Sequence, residues 1–547
     1  MSNIQTNIKK EIKRTIKALF DYEVNLDDIA IEIPKDKSHG DYATNVALQL
    51  AKSLKQSPPN LAKQIMATLD LTAADIAGYE IAGPGFINFT MKTTSLTSVI
   101  TRVLQEGDNY GSTKNADNYK YNIEFVSANP TGSLHPGHAR GAAIGDAVCR
   151  IMRFAGYDVT SEYYINDAGN QITMMAKSLQ ARYFQHFNQD LQVPTDGYHG
   201  KDIIYFAESL VKEAGDKYLT IPLEESLEDF CNFGIKVGME KIKETLLRFR
   251  VSHDNFVSEK SLYERQMVEE TLQRLADLKM TYQVDGALWL KTTNFSDDKD
   301  RVLVKSDGTY TYITPDIAYH LDKFNRGFDK LIDFLGADHH GYVSRLKAGI
   351  AALGKREEDL SVEIFQMAKL IKDGQEYRLS KRTGQAISLD DLIIEAGVDA
   401  MRYLFVSKAA DTHMDLDLDL AIKQSNENPV YYGQYAHARL CSILKNVPEW
   451  DEPADYQLLK DSKEIALLKQ INEFTKVVND AALSRQPHKI CNYIQKLATL
   501  CHSFYNDCKV IMDDKQLQNQ RVALVKAVKI TLRNALNLIG VEAVERM

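Results

Sequence analysis

The chain has 547 residues with a formal net charge of −9, and 44 % of its residues are hydrophobic. This length and composition predict a soluble globular protein of several domains, and no segment approaches the roughly 18 consecutive apolar residues of a membrane span. The acidic balance argues against a strongly basic, non-specific nucleic-acid binder, although it allows local basic faces. None of the six cysteines forms a C-x-x-C pair, which argues against zinc ribbons and suits a reducing cytosol. We predict no metal site built by the protein.

Residues 1–110 predict a small α+β unit that begins with a helix. Isoleucine recurs every fourth residue from Ile4 to Ile16, among lysines and one arginine. Such a stripe favours a first helix that packs on its domain. A mitochondrial transit peptide is the alternative, which we disfavour because the segment is rich in lysine rather than arginine. Further predicted features are a helix over 42–57, strand alternation over 79–91 that breaks at 83–85, and a polar linker over 106–118.

A strand–loop–helix–strand pattern follows and predicts a parallel sheet. The strands lie at 121–126 and 158–165, and the helix extends from about 138 to 155 with Gly156 as its cap. The later predicted elements are a mostly helical segment over about 170–285, a hairpin over 301–313 that turns at Asp307-Gly308, a strand within 330–340, a helix capped by Ser388 and Asp391 behind Ile387, and a helical bundle from about 424 onward.

The loop of residues 127–138 joins the first of these strands to its helix, which is where doubly wound sheets bind nucleotides. It contains His135 and His138, with Gly137 between them. Imidazole N–H groups at a helix N-terminus would stabilise extra charge on a phosphoryl group during transfer. The alternatives are a zinc-binding pair, for which no third ligand has a suitable spacing, and two incidental loop histidines.

A short cationic loop at residues 377–388 precedes the capped helix and contains Ser380, Lys381 and Arg382. A lysine at such a point can neutralise the β- and γ-phosphates of a triphosphate. Taken alone, the segment is more simply an ordinary solvated basic turn.

Two other patterns suggest nucleotide or metal sites but have less support. Residues 349–356 match a P-loop except that Arg356 replaces the hydroxyl residue that would bind Mg²⁺, and the segment predicts a helix that ends at Gly354. Asp338, His339 and His340 would suit a metal-dependent phosphoesterase, but we identify no convincing set of further carboxylates for such a site.

Two acidic residues, Glu124 and Asp316, lie on segments that could end at one pocket near the 127–138 loop. Paired carboxylates serve general acid–base chemistry or bind a cation, and a planar guanidinium satisfies two carboxylates best. A structural salt bridge is an equally weighted alternative.

The C-terminal region carries aromatic and basic residues at helical spacing. Tyr431 and Tyr435 share one helical face, with His437 and Arg439 close by, and this pattern suits stacking on unpaired bases. Three basic residues, Lys526, Lys529 and Arg533, share a face of the last helix and suggest an RNA-facing surface. A solvated helix face is the alternative for this second group.

Together these motifs resemble the class I aminoacyl-tRNA synthetases, and most closely the arginyl-tRNA synthetase family. Residues 128–138 resemble the family's HIGH region, and residues 378–382 resemble its KMSKS loop. Four more blocks resemble the family, in the expected order along essentially the whole chain: EYYINDAGNQ, GADHHGYVSRLKA, GVDAMRYLF and NPVYYGQYAHAR. Arg378 departs from the first lysine of KMSKS, and Pro136 departs from the second residue of HIGH.

The resemblance implies that arginine and ATP, with Mg²⁺, form arginyl-adenylate, and that arginine is then transferred to the 3′ end of tRNA(Arg). It implies that the first step needs tRNA. The implied catalytic residues are His135, His138 and Lys381. The implied ATP-binding residues are Ala128, Asn129, Pro130, Thr131, Gly132, Ser133, Leu134, His135, Pro136, Gly137, His138, Ser380, Lys381 and Arg382. The implied arginine-binding residues are Glu124, Asn129, Tyr312, Asp316 and His339.

The implied architecture is α/β, with a Rossmann-type parallel-sheet catalytic domain at 111–423 that contains the helical insertion of about 170–285. A small α+β domain at 1–110 would contact the corner of the tRNA, and an all-α domain of DALR type at 424–547 would bind the anticodon. The implied tRNA contacts are Tyr431, Tyr435, Arg439, Lys526, Lys529 and Arg533. The family default is a monomer, and the cysteine usage predicts a cytoplasmic location. Competing hypotheses are a catalytically silent tRNA-binding paralogue, the phosphoesterase above, and a synthetase for another amino acid.

Overall fold

The computed structural model describes residues 4–34, 36, 39–114, 117–377, 386–447 and 449–547. Its N-terminal part is an antiparallel three-stranded sheet, in the order β1-β3-β2, packed with helices. The elements of this part are α1 (Ile4–Phe20), β1 (Tyr42–Thr44), α2 (Val46–Leu50), α3 (Pro58–Thr68), β2 (Ile76–Ala82), β3 (Phe86–Met91) and α4 (Thr93–Glu106).

The isoleucine stripe of α1 forms the centre of this N-terminal core. Ile8, Ile12 and Ile16 are completely buried, which confirms the predicted first helix that packs on its domain. The predicted break at 83–85 is the turn between β2 and β3. The helix predicted over 42–57 is wrong at its start, because Tyr42–Thr44 pair with β3. That strand partner lies far along the chain, so local periodicity does not reveal it.

The segment predicted as a polar linker over 106–118 begins as packed structure. The buried Tyr110 hydroxyl donates to the carbonyl of Ile471 at 2.8 Å, and the side chain of Asn534 donates to the carbonyl of Tyr110 at 3.1 Å. A Cβ on Gly111 would lie 2.4 Å from the ring of Phe474. The chain between the first two parts is therefore fixed against the C-terminal helices.

The central part is a five-stranded parallel sheet in the order β11-β10-β4-β5-β6, which confirms the predicted strand–loop–helix–strand unit. Its elements up to the fourth strand are β4 (Lys120–Glu124), α5 (Pro136–Phe154), β5 (Asp158–Ile165), α6 (Asn170–His186), α7 (Lys201–Ala214), α8 (Leu223–Arg248), β6 (Asn255–Ser258), α9 (Glu259–Glu264) and α10 (Met267–Asp277). The helices α6, α7 and α8 enclose a hydrophobic core of their own.

The prediction of a mostly helical segment over 170–285 omitted two strands. Residues 255–258 form β6, an edge strand of the main sheet, and residues 281–284 also form a strand. The two apolar residues of β6, Phe256 and Val257, are adjacent, so the segment lacks the alternation that marks a strand in sequence, and all four of its residues are only partly buried. Their pairing with β5 creates the strand, and it places the start of α9 at the end of the sheet.

The later central elements are β7 (Thr281–Val284), β8 (Ala287–Leu290), β9 (Arg301–Val304), α11 (Ile313–Asn325), β10 (Lys330–Gly336), α12 (Val343–Ala352), β11 (Leu360–Phe365), β12 (Ala368–Lys372), β13 (Gln375–Glu376), α13 (Leu389–Ala396), α14 (Val398–Val406), β14 (Met414–Asp417) and α15 (Leu418–Ile422). The hairpin predicted over 301–313 turns as expected, although its second arm is a single bridge at Tyr310. The predicted cap of α13 is confirmed, since the Ser388 hydroxyl and the Asp391 carboxylate form a reciprocal capping box.

The C-terminal part is a bundle of four long helices, as predicted: α16 (Pro429–Asn446), α17 (Ser462–Ser484), α18 (His488–Asp507) and α19 (Lys515–Leu538). A buried arginine joins the end of this bundle to the helices of the central part. Arg402 of α14 donates to the carbonyl of Ile539 at 3.0 Å and to that of Phe249 at 2.9 Å, and it forms an ion pair with Asp146 of α5. Within the described residues, no helix has the length and apolar character to cross a membrane.

Candidate active site

The loop between β4 and α5 ends in two histidines that cap the helix. The Nδ1 atom of His135 accepts from the backbone N–H groups of Gly137 (3.1 Å) and His138 (3.4 Å), and the Nδ1 atom of His138 accepts from the backbone N–H of His135 (3.4 Å). The two rings stack with centroids 3.6 Å apart. Because each Nδ1 accepts a hydrogen bond, each neutral ring has its proton on Nε2.

Burial lowers the pKa of both histidines. It brings the pKa of His138 to about 4, with a further contribution from neighbouring His135. Both imidazoles are therefore neutral at pH 7, and their Nε2–H groups are donors at the positive end of α5. The loop begins with strained backbone, since Val126 and Ser127 have φ values of +72° and +39°. Such strain persists only where surrounding contacts impose it.

A cavity of about 650 Å³ contains three of the five predicted arginine-binding residues, Tyr312, Asp316 and His339. It adjoins the start of the loop, because Tyr164 lines the cavity and its backbone N–H donates to the Ser127 hydroxyl at 3.1 Å. The hydroxyl of Tyr342 donates to the half-buried carboxylate of Asp316. Burial raises the pKa of Asp316, and the nearby Glu124 carboxylate adds to that rise. A cation that binds next to such a carboxylate stabilises its ionised form, which burial otherwise disfavours.

Glu124 has a different environment from Asp316. One of its carboxylate oxygens accepts from the ammonium of Lys323 at 2.6 Å, and the other accepts from the hydroxyl of Ser127 at 2.9 Å. Lys323 is fully buried and also donates to Asp333 at 3.1 Å. The structural salt bridge, left open as an alternative, thus describes Glu124 in this structure, whereas Asp316 faces the cavity.

The other residues that line the cavity were not predicted as site residues, and they include Tyr164, Glu259 and Tyr342. Burial, and then the proximity of Asp316, raise the pKa of Glu259. The missed signal is the strand β6, because Glu259 immediately follows it and carboxyl ends of parallel strands are where such sites form. Asn129, the remaining predicted arginine contact, donates through its side-chain amide to Gln171 at 2.5 Å.

The cationic loop with Ser380, Lys381 and Arg382 lies outside the described residues, as does Arg378. The structure describes both of the less supported patterns, the P-loop-like segment and the Asp338–His340 cluster. Residues 343–352 form α12, and Gly354 follows at a φ of +82°, as expected of a helix end. Around Asp338 and elsewhere in the described part of the chain, no group of three histidine, cysteine or acidic side chains could hold a metal ion.

An aromatic surface lies on the C-terminal bundle. The rings of Tyr431 and Tyr435 are 6.0 Å apart and nearly parallel, with an angle of 6° between them. His502 of α18 stacks on Tyr435 at 5.7 Å, and the guanidinium of Arg439 lies 4.0 Å from the ring centre of Tyr505. We call these five residues the aromatic surface. His437 is not part of it, because it is buried and its ring bonds the carbonyl of Val544 at 2.8 Å.

The three basic residues predicted on the last helix each have a partner within the protein. The Lys526 ammonium lies 4.2 Å from the ring centre of Trp450, and Lys529 lies 4.0 Å from Glu545. Arg533 forms an ion pair with Asp108. The basic side chains of this helix face therefore contact other residues of the protein, which favours an ordinary solvated helix face over an RNA-facing surface.

A parallel sheet with a nucleotide-type loop, an adjacent acidic cavity and a helical bundle defines the architecture of a class I aminoacyl-tRNA synthetase. The chain matches three family models in order: the arginyl tRNA synthetase N terminal domain at residues 6–91, the tRNA synthetases class I (R) catalytic domain at 99–435, and the DALR anticodon binding domain at 433–547. The chain therefore belongs to the arginyl-tRNA synthetase family.

Relatives agree over the full length. The chain is 51 % identical to arginine–tRNA ligase 1 of Halalkalibacterium halodurans, with all of both chains covered. It is 50 % identical to the arginine–tRNA ligase of Bacillus subtilis over 99 % of this chain and 98 % of the relative. The arginyl-tRNA synthetase structure from Thermus thermophilus, at 21 % identity, shares the fold with a TM-score of 0.78 over 99 % of each chain.

Proposed function

We propose that the chain ligates arginine to tRNA by forming arginyl-adenylate at the α5 N-terminus and then transferring arginine to the tRNA. Full-length identity of about half to curated arginine–tRNA ligases makes it an enzyme of that activity. The observation that supports this mechanism is the juxtaposition of two neutral histidines at a helix N-terminus with a cavity containing Asp316. The first group of residues fits a phosphate, and the second fits a cationic amino acid.

In the proposed first step, an α-carboxylate oxygen of arginine attacks the α-phosphorus of ATP, and the bond to the β-phosphate oxygen breaks to release pyrophosphate. The Nε2–H groups of His135 and His138 would donate to the α-phosphate oxygens, whose charge grows in the transition state. ATP would lie on residues 128–138. The cationic loop, through Lys381 with Ser380 and Arg382, would hold the departing pyrophosphate. Mg²⁺ bound to the phosphates supplies charge neutralisation.

In the second step, a ribose hydroxyl at the 3′ end of the tRNA attacks the carbonyl carbon of arginyl-adenylate, and AMP leaves. Specificity for arginine would come from Asp316, with Tyr312 and His339 beside it in the cavity, and we keep Asn129 as a further contact that the family resemblance implies. Glu124 is already neutralised by Lys323, so we assign the guanidinium to Asp316 rather than to both carboxylates. A site that pairs a buried charge rejects uncharged isosteres strongly, because they leave that charge without a partner.

We propose the domain roles that the family resemblance implies. Residues 1–110 would contact the corner of the tRNA, residues 111–423 would catalyse both steps, and residues 424–547 would bind the anticodon. The match of the last segment to an anticodon binding domain supports the third role. We also propose that the enzyme is cytoplasmic and that it acts as a monomer, which is the family default.

Replacing Tyr435 with alanine is expected to raise the KM for tRNA about tenfold, because stacking on one base contributes about 1–3 kcal/mol. Steady-state aminoacylation with varied tRNA measures the change. Lys526→Met is the matched control, since Lys526 contacts Trp450 within the protein, and its KM for tRNA should stay within about twofold of the wild type. Equal effects of the two variants would contradict the assignment of the aromatic surface to tRNA.

The proposed function is tested by arginine-dependent exchange of pyrophosphate into ATP, with and without tRNA. We expect exchange only when tRNA is present. Exchange without tRNA would keep the ligase mechanism and contradict the dependence on tRNA. Failure of exchange in both conditions, with folded protein and Mg²⁺, would contradict the catalytic assignment itself.

A further inference from the structure

The loop that precedes α5 is fixed by a carboxylate from the helical segment 170–285. Asp202, the second residue of α7, accepts from the backbone N–H of Ser133 at 3.0 Å and from the Ser133 hydroxyl at 2.9 Å. The ammonium of Lys241, on α8, forms an ion pair with the same carboxylate. One side chain thus joins both helices to a loop residue two positions before His135.

These contacts are partly shielded from water, with the side chains of Asp202 and Lys241 exposed by only 30 % and 27 %. Burial alone would raise the pKa of Asp202, but the hydrogen bond and charge of Lys241 and the two Ser133 donors outweigh it and lower the pKa. Asp202 is therefore ionised at neutral pH, and its bonds to Ser133 are charge-assisted.

The helix α8 touches the loop at a second point. A Cβ on Gly238 would lie 2.1 Å from the carbonyl oxygen of Pro130, so only glycine allows this approach. The loop also begins with the strained residues Val126 and Ser127. Strained backbone needs surrounding contacts to fix its conformation. At Ser127 these come from Glu124 and Tyr164, and Asp202 adds two contacts further along the same loop, at Ser133.

We infer that Asp202 is a positioning residue for ATP: with Lys241, it fixes Ser133 so that the loop and the following histidines have the geometry that ATP requires. The inference rests on the proposed assignment of residues 128–138 to ATP. It gives the helical segment 170–285 a part in the activation step, although none of its residues is assigned to the reacting atoms. Displacement of a binding loop by about 1 Å can cost about 100-fold in rate, which sets the scale of the effect.

The test is steady-state aminoacylation by the full chain, with ATP and arginine each varied at saturating tRNA. Asp202→Ala is expected to lower kcat/KM for ATP about 10- to 100-fold while the KM for arginine stays within about twofold. Glu213→Ala is the matched control, because Glu213 of α7 pairs with Lys236 of α8 at 3.2 Å between the same two helices. This variant should match the wild type within about twofold for both substrates.

Two further variants separate positioning from folding. Asp202→Asn keeps an acceptor for Ser133 and should recover part of the loss, and it serves as the test if Asp202→Ala fails to fold. Ser133→Ala removes only the hydroxyl bond, and combining it with Asp202→Ala should cost less than the product of the two single losses, because the residues share one interaction.

The inference is overturned if Asp202→Ala behaves like Glu213→Ala, if it affects ATP and arginine equally, or if the double variant shows independent losses. A wild-type enzyme that does not aminoacylate tRNA would instead contradict the proposed function. The two failures are therefore distinguishable in the same experiment.

Discussion

The Asp316→Asn variant is expected to raise the KM for arginine about 100-fold, because truncating one partner of a buried charge pair costs about 2–5 kcal/mol. The asparagine side chain can still accept from the Tyr342 hydroxyl, so the cavity wall keeps its internal hydrogen bond. The KM for ATP should change by less than about twofold, since the charge lost faces the amino acid. Aminoacylation with each substrate varied in turn measures the separation.

Asp338→Asn is the control for Asp316→Asn. Asp338 follows β10 and is next to His339, which lines the same cavity as Asp316, but the side chain of Asp338 is 82 % exposed. Its kinetic constants should equal those of the wild type within about twofold, because an exposed charge contributes little. If Asp338→Asn impaired activity as much as Asp316→Asn, the guanidinium assignment would be wrong and the Asp338–His340 cluster would need a catalytic role.

The His138→Ala variant is expected to lower kcat about 10²- to 10³-fold, the usual cost of removing one preorganised donor to a developing negative charge. The neutral ring is fixed by its own Nδ1 bond, so its Nε2–H needs no reorganisation during the reaction. His138→Gln supplies an amide donor and should recover part of the rate. Single-turnover adenylate formation measures the chemical step directly.

The values of kcat and of the KM for ATP distinguish a role of His138 in the transition state from a role in ground-state binding. A loss confined to kcat indicates a contact made in the transition state, whereas a rise in the KM for ATP with kcat intact indicates binding of the ground state only. The second result would contradict the proposed role. Because the pKa of His138 is about 4, its own titration should not change activity between about pH 6 and 8.

Much of the fold could be predicted from sequence because the signals are local. The isoleucine stripe of α1, the strand at 158–165 and the cap at Ser388 depend on periodicity or on neighbours three or four residues away. The position of His135 and His138 between a strand and a helix has the same origin. The five-stranded parallel sheet follows from repeating such units.

Strand β6 could not be predicted in this way, because its four residues become a strand only by pairing with β5. Missing it concealed Glu259, which immediately follows it and lines the cavity. From residue type alone, Lys526 and Arg533 were predicted as tRNA contacts in the same way as Arg439. The structure separates them, since Lys526 contacts Trp450 and Arg533 contacts Asp108.

The sequence by itself therefore determined the class of fold and the loop that the histidines occupy, since both depend on patterns within a short window. The order of the motifs along the whole chain, rather than any local pattern, indicated the order of the domains. Only the tertiary structure decided which carboxylate is open to a cation. Glu124 and Asp316 are equivalent in sequence, but Lys323 lies 2.6 Å from one, and the other faces a cavity. Ion pairs between residues about 200 positions apart arise from the packing of whole elements, and no local pattern specifies them.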